Sequence, residues 1–166
     1  MTDRIAHRGP DASGYYFDQK AGIGLGHRRL SIIDLSDSAN QPFISKSGRH
    51  IVVFNGEIYN YQDLKAKYQV ATKTSSDTEI VIELIEQYGL DIVNEFNGMF
   101  AIALWDTQEE KLILIRDRIG KKPLFFSHQN GDLCFASEMK SLIALEPREK
   151  DLSNLAYYLH LGYMPG

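Results

Sequence analysis

Met99-Phe100-Ala101-Ile102-Ala103-Leu104-Trp105 is an apolar run of strand length in which neither face is polar. Successive side chains of a strand point to opposite sides, so a half-buried strand alternates apolar with polar residues. This run does not alternate, and a strand buried on both sides needs cover above and below. Short strand signals surround it: residues 111–116, 123–127 and 133–137 follow, with turns at Thr107-Gln108-Glu109-Glu110 and Gln129-Asn130-Gly131-Asp132. Upstream, Ile51-Val52-Val53-Phe54 is another continuously apolar strand, and residues 14–18 and 23–33 read as two more joined by a tight turn.

Four segments have helical period. Asn60 is a good N-cap for a short helix carrying Leu64, Ala66, Lys67 and Tyr68. Ser76-Asp77-Thr78-Glu79 has the spacing of a capping box, Ser76 at N-cap and Glu79 at N3. Behind it Ile80, Val81, Leu84, Ile85 and Tyr88 share a face, and Gly89 closes the helix. A further helix spans about 138–145, and Asp151 begins an amphipathic one. Short antiparallel strands with a few helices predict an α+β fold of two stacked, mainly antiparallel sheets with helices outside.

At 166 residues the chain is one domain with enough length for a real core. A formal net charge of −4 provides no electrostatic footprint for nucleic acid or an anionic membrane. The basic residues Arg116, Arg118, Lys121 and Lys122, interrupted by Asp117, read as a solvated or interdomain loop rather than a phosphate site. Cys134 is the single cysteine, which excludes an intramolecular disulfide and points to a reducing compartment. No run approaches membrane-spanning length and the first residues lack a signal-peptide core, so the expected location is the cytoplasm. The five histidines show no metal-ligand spacing, and no metal is expected in this chain.

Chemistry concentrates in Asn55-Gly56-Glu57-Ile58-Tyr59-Asn60, at the end of the 51–54 strand. An amide, a backbone N–H and a carboxylate there suit a site that stabilises an amide oxygen gaining charge while gripping an ammonium. Asn-Gly is also the commonest type I′ hairpin turn, but the residues after Glu57 turn helical instead of forming a return strand. Asn97-Gly98 lacks such flanks and reads as an ordinary turn. His7-Arg8-Gly9-Pro10-Asp11 makes a turn in which Arg8 and Asp11 pair. His27 reads as a strand histidine with a satisfied hydrogen bond rather than a general base.

These motifs, together with Arg28-Arg29-Leu30-Ser31-Ile32-Ile33-Asp34, resemble the class II glutamine amidotransferases, most nearly the glutaminase domain of the asparagine synthetase B family. The resemblance implies a four-layer α-β-β-α sandwich of the N-terminal-nucleophile hydrolase type. It places the glutamine carboxylate on Arg29, whose planar guanidinium can bind it bidentately. The ammonium falls to Asp77 with Glu57 assisting, and the oxyanion hole to the Asn55 side chain and the Gly56 N–H. Asp77 in a first helical turn also stabilises the helix dipole, and both roles can hold at once.

The family's nucleophile is an N-terminal cysteine whose own α-amine serves as base, about 30 residues before the His-Arg-Gly-Pro-Asp motif. Here that motif begins at His7, so the first strand and its cysteine are expected to be missing and the chain inactive as a glutaminase. Cys134 lies mid-strand without an α-amine, and Thr2 sits only five residues before the motif with no strand to carry it into the site. The implied organisation is a glutaminase domain over 1–148, then the start at 149–166 of a linker to an ATP-dependent synthetase domain, whose ATP and Mg belong there and not in this chain. Glutamine and that synthetase domain, in cis or as a separate subunit, are the expected partners; a homodimer is left open. The full enzyme would pass ammonia to an activated carboxylate, aspartate in the asparagine synthetases. Gly120-Lys121-Lys122-Pro123-Leu124-Phe125-Phe126 departs from the usual Gly-Ile-Lys-Pro-Leu-Tyr-Tyr and leaves a different acceptor open. The alternative from another class is a non-catalytic domain that binds glutamine or a partner subunit.

Overall fold

The computed structural model describes residues 1–31, 36–145, 152 and 155–163. The apolar run forms β5 (Gly98–Asp106), an inner strand of a four-stranded antiparallel sheet ordered β3 (Phe43–Ile44), β4 (His50–Ile58), β5 and β6 (Lys111–Arg116). Both of its faces are covered, as the lack of alternation requires. Phe100, Ile102 and Leu104, with Val52, Phe54 and Ile58 of β4, share one core with α1 (Tyr61–Tyr68) and α2 (Asp77–Tyr88) through Leu64, Ile80, Val81 and Leu84. Ala103 and Trp105, with Ile51 and Val53, form the opposite core. That core is closed by Leu25 and its neighbours in the hairpin β1 (Ala12–Asp18) and β2 (Ile23–Arg29), and by Phe135 of a second hairpin, β7 (Phe125–Gln129) and β8 (Asp132–Ala136). Each buried Ile or Leu contributes roughly 1.5–3 kcal/mol relative to exposure. The fold is therefore α+β with antiparallel sheets, and a helical layer and two hairpins lie on opposite faces of the central sheet.

The β7–β8 turn is a two-residue Asn130-Gly131 connection with φ of 53° and 88°, the mirror-image geometry that matches strand twist. The 107–110 turn is fixed by the Asp106 carboxylate, which accepts the N–H groups of Gln108 and Glu109. A helix, α3 (Met139–Ile143), follows β8.

Several local expectations are corrected. β2 stops at Arg29, short of 33; residues 32–33 lie outside the described residues. β4 does not end at Phe54 but runs through Asn55, Gly56 and Glu57 to Ile58, paired with β5 throughout. Gly98 is no turn residue: it opens β5, and a Cβ on it would meet the Glu57 carbonyl oxygen at 2.2 Å. Ser76 caps α2 by accepting the Thr78 N–H, but Glu79 does not complete the box. Its buried carboxylate instead takes the N–H groups of Lys73 and Thr74 and the Thr74 hydroxyl, while the Ser76 N–H donates to Thr74 Oγ1. Asn60 does not cap α1 with its side chain; it bridges to the Glu95 carbonyl and the Asn97 N–H.

Arg8 pairs with Glu138 rather than with Asp11, whose carboxylate accepts the Ser31 N–H. The basic loop is built around Asp117, which is buried and accepts N–H groups from Phe100, Lys121 and Lys122. Arg116 and Arg118 donate to loop carbonyls, so the loop is structural. Helix α4 (Leu155–Leu161) is exposed along its length; Asp151 and the expected boundary at 148–149 lie outside the described residues.

Candidate functional site

An antiparallel ladder sends the N–H and C=O of alternate residues to opposite sides of a strand. In β4 the even-numbered residues turn away from β5. Val52 pairs with Phe43 of β3, the Phe54 N–H donates to Gln41 Oε1 at 2.6 Å, and the Ile58 N–H donates to Asp77 Oδ2 at 3.1 Å. Gly56 lies between the last two and must turn its N–H to the same edge. Its partner across the sheet agrees, because Phe100 spends its own N–H and C=O on Asp117. Since β3 is only two residues long, Gly56 N–H passes its end and points toward the cavity that Gly56 lines.

That cavity, of about 330 Å³, lies on the hairpin side of the central sheet. Its lining includes every residue the sequence nominated: Arg29, Asn55, Gly56, Glu57 and Asp77. Strand period explains two of them. Even-numbered β4 side chains enter the helix-side core, so Asn55 and Glu57 face the hairpins with Val53. Among the described residues Asn55 Nδ2 makes only a long contact of 3.5 Å to Ser137 Oγ, a donor held in place but lightly engaged. Arg29 ends β2 and reaches the cavity with Nη1 donating to the Ser36 carbonyl at 2.8 Å and to Asn40 Oδ1 at 2.7 Å.

Asp77 approaches from the opposite side, at the first position of α2, and is almost fully buried. Burial raises its carboxyl above the usual range; the Ile58 and Thr78 N–H groups oppose that shift and the Glu57 charge adds to it. A cationic group entering between Asp77 and Glu57 would relieve both the desolvation and the repulsion.

His27 lines the cavity too, and here the expectation of a satisfied ring is only half met. Its Nδ1 is buried without a partner among the described residues. Burial pushes the imidazole down to about 4, the Phe54 carbonyl pulls the other way, and the Arg29 charge lowers it further. It is neutral at physiological pH. Arg28 Nε and Ser141 Oγ, on the same cavity wall, are likewise buried and unpartnered among the described residues. Met1 and Thr2 also reach this wall, carried by a 3₁₀ helix over Thr2–Arg8 instead of a strand, with Thr2 Oγ1 against Gly26. Cys134 is partly buried within β8 and does not line the cavity.

Sequence reasoning missed Gln41 and Asn40, which contact three of the nominated positions or their immediate neighbours. Only the distant-in-sequence contacts disclose them. Among the described residues no helix is long and apolar enough to cross a membrane.

A family model described as a glutamine amidotransferase domain matches residues 1–166. The chain is 46% identical over 145 residues to asparagine synthetase (glutamine-hydrolyzing) 2 of Bacillus subtilis, covering 87% of this chain and 19% of that protein. It is 48% identical over 149 residues to the amidase chry2 of Gibberella zeae, covering 87% and 22% respectively. With asparagine synthetase B (glutamine-hydrolyzing) of Escherichia coli the identity is 40% over 146 residues, covering 86% and 26%. The chain thus spans about a fifth to a quarter of the length of these relatives.

Proposed function

The chain belongs to the glutamine amidotransferase domain family, in its class II, asparagine synthetase-like branch, and from that premise we propose that its cavity binds glutamine and holds the side-chain amide for hydrolysis. Arg29 takes the α-carboxylate, Asp77 and Glu57 take the α-ammonium, and Asn55 Nδ2 with Gly56 N–H receive the amide oxygen as it becomes an oxyanion. The observation that carries the reading is the edge of β4. Its N–H groups on either side of Gly56 are engaged by Gln41 and Asp77, which leaves the central one turned to the cavity beside Asn55.

The chemistry then needs a thiol that attacks the amide carbon, expels ammonia, and leaves a thioester for water to cleave. We assign that thiol to an N-terminal cysteine on a strand preceding these residues. Such a strand would complete the four-layer α-β-β-α sandwich, and the unpartnered His27 Nδ1, Arg28 Nε and Ser141 Oγ supply polar groups for its backbone to meet. Loss of the nucleophile in a comparable catalytic unit costs roughly six orders of magnitude in turnover. In the whole cytoplasmic protein, residues 1–148 form the glutaminase and 149–166 lead into a synthetase domain that binds ATP and Mg and receives the ammonia, with aspartate as its acceptor.

Calorimetry tests the reading. Glutamine should bind weakly to the chain, and Arg29→Ala should weaken it at least tenfold, as expected when a charged hydrogen-bonding partner is lost. Equal heats from the two proteins would remove the assignment.

A further inference from the structure

Gln41 is buried, and its two amide atoms bridge elements that each carry part of the site. Oε1 accepts the Phe54 N–H at 2.6 Å, one residue before Asn55. Nε2 donates to Thr78 Oγ1 at 3.3 Å, one residue after Asp77. Its backbone is fixed from a third side, because a Cβ on Gly14 of β1 would lie 2.1 Å from the Gln41 carbonyl oxygen. Asn40, the preceding residue, accepts from Arg29 Nη1 at 2.7 Å and is itself braced by Asp37. Two consecutive side chains therefore touch Arg29 itself and the immediate neighbours of Asn55 and Asp77.

We propose that Asn40 and Gln41 are the positioning element of this pocket, setting the spacing between the carboxylate clamp, the oxyanion donors and the ammonium site. The proposal rests on the glutamine reading above. Gln41 acts as a one-residue substitute for β3: a side-chain oxygen stands where the next strand carbonyl would be, so Phe54 is held in register while the edge stays open at Gly56. Neither residue needs to touch the reacting atoms. Misplacement of a ligand by even an ångström is costly in such a site, so a bridge that fixes β4 against α2 governs affinity directly.

The test uses the chain with three substitutions. Gln41→Met keeps length and removes both bonds; Gln41→Glu keeps the acceptor for Phe54; Val70→Ala, in the core behind α2, is a control for lost stability alone. Gln41→Met should weaken glutamine binding at least tenfold, Gln41→Glu should recover most of that loss, and Val70→Ala should bind like the parent. Equal affinity of Gln41→Met and parent, or an equal loss in Val70→Ala, would overturn the proposal.

If the parent itself does not bind glutamine, the glutamine reading fails, and amide exchange decides the positioning claim alone. In Gln41→Met the Phe54 amide should exchange at least tenfold faster, with chemical-shift changes reaching Asn55 to Glu57 and Asp77 to Glu79. Changes confined to residues 40–43 would refute it.

Discussion

Gly56→Ala separates the geometry of β4 from mere sequence likeness. A Cβ at Gly56 would sit 2.2 Å from the Met99 carbonyl oxygen and 2.7 Å from Phe100 Cα. Ordinary contact needs about 1 Å more, and both obstacles are backbone of the paired strand, which cannot swing aside as a side chain would. β4 and β5 must part at this point. The neighbouring Asn55–Ala101 pair, whose backbone groups face each other across the ladder, would lose its bonds at about 1 kcal/mol each. Overpacking adds roughly 1–3 kcal/mol, for a total of about 3–5 kcal/mol. Gly24→Ala is the reference, since its Cβ meets only the Phe17 ring at 3.5 Å. That substitution should be neutral or stabilise by up to ~1 kcal/mol through the unfolded state. Urea unfolding followed by fluorescence of the single tryptophan, Trp105, reads both variants. If Gly56→Ala unfolds within ~0.5 kcal/mol of the parent, β4 and β5 do not approach as described, and the direction assigned to Gly56 N–H falls with them.

Two pH effects follow from buried groups. His27 is held down to about 4 from an ordinary 6.5, so the unfolded chain binds its proton first on acidification. The stability this neutral imidazole allows is present above pH 6.5 and falls between about 6.5 and 4, by roughly 3 kcal/mol. His27→Gln should flatten that limb of a urea-midpoint profile, and an unchanged slope would contradict the assigned burial. Asp77 has the opposite sign: its raised carboxyl holds a proton in the folded state above the unfolded value of 3.8, so its contribution to stability declines as pH rises through that range. Asp77→Asn should therefore be at least as stable as the parent at pH 7 yet bind glutamine at least tenfold more weakly by calorimetry; a matched loss of stability would make Asp77 a structural residue.

The core was legible because burial on two faces leaves a compositional trace. Nothing polar interrupts residues 99–105, and the structure covers both sides of β5 with separate cores. The five residues nominated one motif at a time all line a single cavity, so the motifs foretold a shared location. What failed were inferences from short spacing. Ser76 and Glu79 have capping-box spacing, but burial gave Glu79 a stronger task, holding the 73–74 loop. Asn97-Gly98 carries a local turn signal, whereas Gly98 is required by a strand crossing close to Glu57, a tertiary fact. Gln41 could not have been found this way, since its partners lie 13 and 37 residues distant.

An unpaired strand edge is ordinarily a hazard, because a row of open N–H and C=O groups invites a foreign strand. β3 covers only the first part of the β4 edge, so the groups at Phe54, Gly56 and Ile58 need other arrangements. Two are taken up by side chains, Gln41 and Asp77, each buried and each fixed to another element. A β3 extended back to Gln41 would satisfy Phe54 more simply, but continued on to Ala39 it would bring a carbonyl against Gly56 and occupy the donor facing the cavity. Side-chain capping is the solution that stabilises the edge without closing it. The shortness of β3 and the buried carboxylate at Asp77 together leave, among the described residues, an edge engaged on both flanks and open at its middle residue.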